Sequence, residues 1–173
     1  DAFGYRDDDG DPWAGDYDRD GDLVIENQGG SVNLKWTGED LTFTSITAFE
    51  TFERFYEEDT DVSPAKIVHN TYEAEIDQFT QEFRLGGASG GLDWLAGAYY
   101  YDQKTDGAFQ IDASGIDYII GDANYDQETK SWSLFGQLEY ALSDYWSVLA
   151  GLRYTDEERE LDYLSVDLKG LLP

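Results

Sequence analysis

The run from Trp132 to Tyr154, WSLFGQLEYALSDYWSVLAGLRY, restricts the fold more than any other stretch of the chain. Its first half places Trp132, Leu134, Gly136, Leu138 and Tyr140 at alternate positions, with Ser131, Ser133, Phe135, Gln137 and Glu139 between them. Its second half repeats the pattern with Trp146, Val148, Ala150, Leu152 and Tyr154 against Ser147, Leu149, Gly151 and Arg153. A strand sends successive side chains to opposite faces, so each half has one apolar face and one mainly polar face. The turn between them is read at Ala141-Leu142-Ser143-Asp144.

Aromatic residues bracket the apolar face of both strands. The eight steps from Trp132 to Tyr140 span about 26 Å along a strand, or about 20 Å vertically once the strand is tilted. That is close to the outward apolar band of a membrane barrel with aromatic rings at both interfaces. A soluble sandwich strand alternates too, so the remaining connections must decide.

The other strands are predicted at about 31–36, 41–52, 75–85, 92–101 and 161–168, beside 129–140 and 145–155. Short turns fall at 37–40, 86–91 and 141–144, and long polar connections at 53–72 and 102–128. Residues 1–29 read as an acidic Asp/Gly-rich loop and 30–168 as a barrel segment. Long connections on one side and short turns on the other are the asymmetry of outer-membrane barrels. The fold expected is therefore all-β: an antiparallel up-and-down meander of six to seven strands of a transmembrane β-barrel. No stretch is apolar for long enough to be a membrane-crossing helix.

Composition excludes several functions. With 38 acidic and 11 basic residues the formal charge is −27, which repels nucleic-acid phosphates. The absence of cysteine and the presence of one histidine leave no thiolate site and no histidine pair. That histidine, His69, lies among polar residues of a connection and is read as a bystander. Acidic neighbours such as Glu57 and Glu58 have nothing to orient them as acid and base, so no enzyme is expected. Asp1 is not read as a natural translation start, and any signal peptide is placed outside the sequence.

One motif offers a cofactor. Asp16, Asp18, Asp20, Gly21 and Asp22 reproduce the opening of a calcium loop, with alternate carboxylates converging on a hard cation. Asn27 stands at the position where a bidentate Glu belongs, with Glu26 beside it. The candidate ligands are Asp16, Asp18, Asp20, Asp22 and Glu26, and a solvated acidic loop is the favoured alternative.

An ordered series of short segments resembles the TonB-dependent outer-membrane receptors, in particular the iron-complex (ferric siderophore) branch. It comprises Thr44-Ser45-Ile46-Thr47-Ala48-Phe49, Asp77-Gln78-Phe79-Thr80-Gln81-Glu82-Phe83-Arg84-Leu85, and Leu92-Asp93-Trp94-Leu95-Ala96-Gly97-Ala98-Tyr99-Tyr100-Tyr101. It continues in Phe135-Gly136-Gln137-Leu138-Glu139-Tyr140 and Gly151-Leu152-Arg153-Tyr154-Thr155-Asp156, covering about residues 30–165. The family's plug domain and TonB-contacting segment are not written here, and its barrels have 22 strands, so the resemblance implies a barrel fragment.

The resemblance implies a Gram-negative outer-membrane location and uptake of a scarce nutrient such as an iron-siderophore or similar metal complex. Implied partners are lipopolysaccharide, the rest of the barrel and plug, and TonB through that plug. The lipid face would then carry Trp132, Leu134, Leu138, Tyr140, Trp146, Val148, Leu152 and Tyr154. The lumen face would carry Glu82, Arg84, Gln137, Glu139 and Arg153. The alternative is a secreted, extracellular calcium-binding β-protein that assembles through open strand edges.

Overall fold

The computed structural model describes residues 4–6, 8, 10–11, 13–116 and 120–168. Among the described residues six strands follow one another: β1 (Asp22–Thr37), β2 (Leu41–Asp59), β3 (His69–Ser89), β4 (Leu92–Asp112), β5 (Ile120–Ser143) and β6 (Trp146–Asp167). They form one antiparallel sheet in chain order, with β1 and β6 as its two edges. The up-and-down meander expected from the alternation is the observed architecture, with six strands.

The strands are much longer than their apolar cores. β5 has 24 residues and β6 has 22, whereas about 9–11 tilted residues cross a bilayer. The acidic stretches read as long connections are mostly strand. β2 runs on to Asp59, leaving residues 60–68 as the β2–β3 connection. β4 runs to Asp112, followed by a 3-10 turn at Ser114–Ile116. Residues Asp22 to Gly29, assigned to the acidic loop, are the first half of β1, and the segment 161–168 is largely the end of β6 rather than a seventh strand. The physical reason is common to all of these. Ladder hydrogen bonds need no apolar face, so a strand with water on both sides looks like a loop by composition.

The turns at the other end are tight. Gly90 and Gly91, with φ of 60° and 84°, alone join β3 to β4. Positive φ at both central residues is the primed hairpin geometry that continues the strand twist, and glycine adopts it without strain. Gly86 to Ser89, assigned to this turn from sequence, instead pair with Leu95 to Leu92. Asp144 and Tyr145 join β5 to β6 beside a register shift at Ala141/Ser143, so the hairpin tip lies later than the sequence reading put it.

Burial is inverted relative to a water-soluble β-protein. Among the described residues the buried hydrophobics are only Ala113 and Ala123, while Thr129, Ser131 and Ser133 of β5 are buried polar residues. Leu134 and Leu138 sit in β5, paired on both sides, yet are 55% and 53% exposed. A soluble sheet would cover such a face with a second layer.

Candidate functional site

Residues directly opposite one another in neighbouring strands share a face, so the register assigns every side chain to one of two surfaces. Trp94 opposes Leu138 and Leu138 opposes Ala150; Ala98 opposes Leu134 and Leu134 opposes Tyr154. The same face continues through Phe83 and Leu85 of β3 and Phe43 of β2 to Leu34 and Trp36 of β1. All eight residues expected to face lipid lie on it.

This apolar band ends in aromatic rows. At the end nearer the long connections, Phe49 packs on Phe79 with ring centroids 4.9 Å apart, and Phe79 on Tyr100 at 6.2 Å. Tyr100 opposes Trp132, whose ring lies 5.6 Å from Tyr154. At the tight-turn end stand Trp36, Trp94, Tyr140 and Trp146. Within the band lies one polar knot. Thr47 donates to Gln81 Oε1 at 2.5 Å, and Gln81 Nε2 donates to Ser45 Oγ at 3.1 Å and to the Ile46 carbonyl at 3.0 Å. The knot satisfies its own hydrogen bonds, as apolar surroundings require.

The opposite face is polar and holds all five residues expected to face a lumen. Arg84, Gly97, Phe135 and Arg153 form one cross-strand row. Arg84 makes a bidentate pair with Glu82, its Nε and Nη2 donating at 2.7 and 2.9 Å. The Arg153 guanidinium lies 5.6 Å from the ring centres of both Tyr99 and Phe135, within cation–π range. Ser147 Oγ donates to Glu139 at 2.8 Å, and Gln137 opposes Gly151. Farther along this face Tyr56, Tyr72 and Phe109 form a ladder, with ring separations of 5.7 and 4.9 Å.

Beyond the aromatic row, the apolar face turns acidic. Glu26, Glu53, Glu75, Asp106, Asp126 and Asp162 oppose one another in sequence across all six strands. Five of these six line a groove of about 500 Å³. Adjacent strands are about 4.8 Å apart, so each carboxylate faces another of like charge. The carboxyl of Asp126 is raised above the usual range by a hydrogen bond with Asp106, then by desolvation and by the charges of Asp106 and Asp162.

The calcium-loop residues do not converge. Asp22 and Glu26 are β1 residues opposite Glu57 and Glu53, and Asp16 accepts a hydrogen bond from Tyr5 at 2.7 Å. Asp18 instead joins Asp59, Asp61 and His69, all four offering ligand atoms within 4.8 Å of one another. His69 is not a loop bystander. It opens β3, is only 5% exposed, and its Nε2 lies 2.9 Å from Asp18 Oδ1. Burial, then the charge of Asp61, raises the Asp59 carboxyl, though backbone N–H groups of Asp18 and Val62 oppose the shift. Burial also pushes Asp61 upward. Hydrogen bonds from Ser63 and the backbone of Val68 and Ile67, together with the His69 charge, bring it below its usual value.

The sequence matches the family described as TonB dependent receptor-like, beta-barrel, over residues 1–168. The chain belongs to that family. Its members are receptors rather than enzymes.

Solved receptors share the sheet. The ferric yersiniabactin uptake receptor FyuA from Yersinia pestis superposes with a TM-score of 0.72 at 16% identity, covering 84% of this chain and 22% of its own. BauA, the ferric preacinetobactin receptor from Acinetobacter baumannii, gives a TM-score of 0.59 at 14% identity, covering 85% of this chain and 27% of its own. No curated protein matches the sequence. The chain thus spans about a quarter of the length of these receptors, and its sheet is an open one. In a TonB-dependent receptor barrel, the apolar band and the two aromatic rows were legible from alternation alone. The group around His69 was not: Asp18 and His69 are 51 residues apart, and no local spacing links them.

Proposed function

We propose that the chain is part of the wall of a Gram-negative outer-membrane receptor for uptake of a scarce nutrient. The observation that carries this is the exposed apolar band between two aromatic rows, on a sheet of a receptor-barrel family. Trp132, Leu134, Leu138, Tyr140, Trp146, Val148, Leu152 and Tyr154 face lipid; Glu82, Arg84, Gln137, Glu139 and Arg153 face the lumen. The open edges of β1 and β6 pair with further strands of the same barrel, because unpaired N–H and C=O groups are not tolerated in hydrocarbon. The secreted alternative has no support in the family.

The substrate is an iron-siderophore or similar metal complex, a reading supported by what FyuA and BauA are named for. The connections at 60–68 and 113–116 lie at the extracellular mouth, and the Tyr56–Tyr72–Phe109 ladder lines the approach below them. A plug inside the barrel gates entry and TonB energises its movement. The acidic outer surface meets lipopolysaccharide through divalent cations that bridge carboxylate and phosphate.

The test is uptake of radiolabelled iron complexes by iron-starved source cells, with and without the gene and with and without TonB. Loss of uptake of at least one complex in both deletions is expected, with the protein in the outer membrane as a heat-modifiable band. Recovery of the protein from the medium or periplasm, with uptake of every complex unchanged, would overturn the proposal.

A further inference from the structure

We propose that Asp18, Asp59, Asp61 and His69 bind one divalent transition-metal ion of the zinc class, which clips the segment before β1 to the β2–β3 connection. The four residues come from three separate pieces of chain: the segment preceding β1, the end of β2 with its connection, and the first residue of β3. Their ligand atoms all lie within 4.8 Å of one another. A single ion with metal–ligand distances of about 2.0–2.2 Å draws such a set together if the widest pairs close by roughly an ångström.

The group is more than an acidic patch. Its fourth member is a histidine more than nine-tenths buried, with a ring nitrogen directed at the Asp18 carboxylate. Three carboxylates share one imidazole, and among the described residues no lysine or arginine forms an ion pair with Asp18, Asp59 or Asp61. Arg19, the nearest cation in sequence, pairs with Glu57 instead. A cation is therefore the missing element of charge balance. The imidazole nitrogen selects its class: calcium and magnesium take oxygen ligands, whereas zinc and its neighbours accept mixed nitrogen and oxygen sets.

The surrounding hydrogen bonds hold the carboxylates in place. Asp61 accepts from Ser63 Oγ and from the backbone N–H of Val68 at 2.8 Å, and Asp59 accepts from the N–H groups of Val62 and Asp18. Donors of this kind orient metal-binding carboxylates from behind. Asp16, Asp20, Asp22 and Glu26 take no part in the group. The ion proposed differs from the calcium of the Asp16–Asp22 motif in both class and ligands.

The experiment uses the full-length receptor, purified in detergent, stripped with chelator and dialysed against Zn²⁺ or Ca²⁺ alone, with bound metal counted by mass spectrometry. His69→Gln and Asp61→Asn are each expected to bind one Zn²⁺ fewer than the wild type, while Asp16→Asn and Asp20→Asn bind the same number. Heat-modifiable mobility establishes that each variant is folded. If neither ligand variant folds, zinc-edge anomalous scattering from crystals of the zinc-soaked wild type decides, with a peak expected among the four side chains. Equal Zn²⁺ counts in wild type and folded His69→Gln, loss of Ca²⁺ rather than Zn²⁺, or no anomalous peak at the group would each overturn the proposal.

Discussion

Asp106 and Asp126 face each other directly across β4 and β5, the fourth and fifth members of a row of six carboxylates that crosses the sheet. Like charges this close disfavour ionisation of Asp126, the direction in which its carboxyl is shifted. Around the pair stand Glu75, Asp162, Glu128 and Glu160 as further acids, and Lys104 and Lys130 as the nearby bases.

The raised carboxyl of Asp126 fixes the sign of a pH effect. A group whose folded pKa lies above its unfolded value binds its proton more tightly in the native state, so stability grows as pH falls through the folded pKa. Asp126→Asn is therefore expected to raise the urea midpoint at pH 7.5 and to lose that advantage near pH 3, below both values. Millimolar Mg²⁺ should shrink the difference in the same way. Urea titrations of the receptor in lipid vesicles, read by heat-modifiable mobility, check both.

Two glycines on β4 are covered by rings from β5. A Cβ on Gly107 would clash with the Tyr125 ring, and one on Gly97 would clash with the Phe135 ring and lie 2.8 Å from the Phe83 carbonyl oxygen. Both alanine variants are expected to destabilise by about 1–3 kcal/mol through overpacking. The remedies should differ. Gly107→Ala is expected to recover when combined with Tyr125→Ala, whereas Gly97→Ala with Phe135→Ala stays impaired because the backbone oxygen cannot move away. Folded fractions of the four variants separate the two cases.

The Thr47–Gln81–Ser45 knot lies on the face proposed to meet lipid, where an unpaired polar group has no water to turn to. Thr47→Val is expected to cost about 1 kcal/mol by orphaning Gln81 Oε1, and Gln81→Leu in that background should recover most of it. A double-mutant cycle should give a coupling of about 0.5–1.5 kcal/mol. Zero coupling would mean that the pair faces water.

The legible part of this fold was the part where burial and sequence agree. Trp132 to Tyr154 alternates because one side needs apolar groups, so face and aromatic boundary both follow from the pattern. Glu53 to Asp59 and Asp102 to Asp112 carry no such demand, since solvent lies on both sides, and only the ladder shows that they are strand. The charged run Asp156 to Glu160 looked like a break for the same reason, yet each of its residues pairs with β5. The acidic row and the His69 group escape any local reading altogether. Each gathers residues from distant strands, and only the register brings them together.

In the proposed barrel, the even-numbered residues of Trp132–Tyr140 in β5 and Trp146–Tyr154 in β6 touch lipid, while the odd-numbered ones between them face the lumen. Nitroxide labels placed singly at positions 134, 138, 148 and 152, and at 137, 139 and 153, test it directly in the membrane-inserted receptor, since this chain has no cysteine of its own. Collision with oxygen, which concentrates in lipid, is predicted to dominate at the first four positions, and collision with a water-soluble nickel chelate at the other three. Equal access at both sets, or the reverse assignment, would contradict the account.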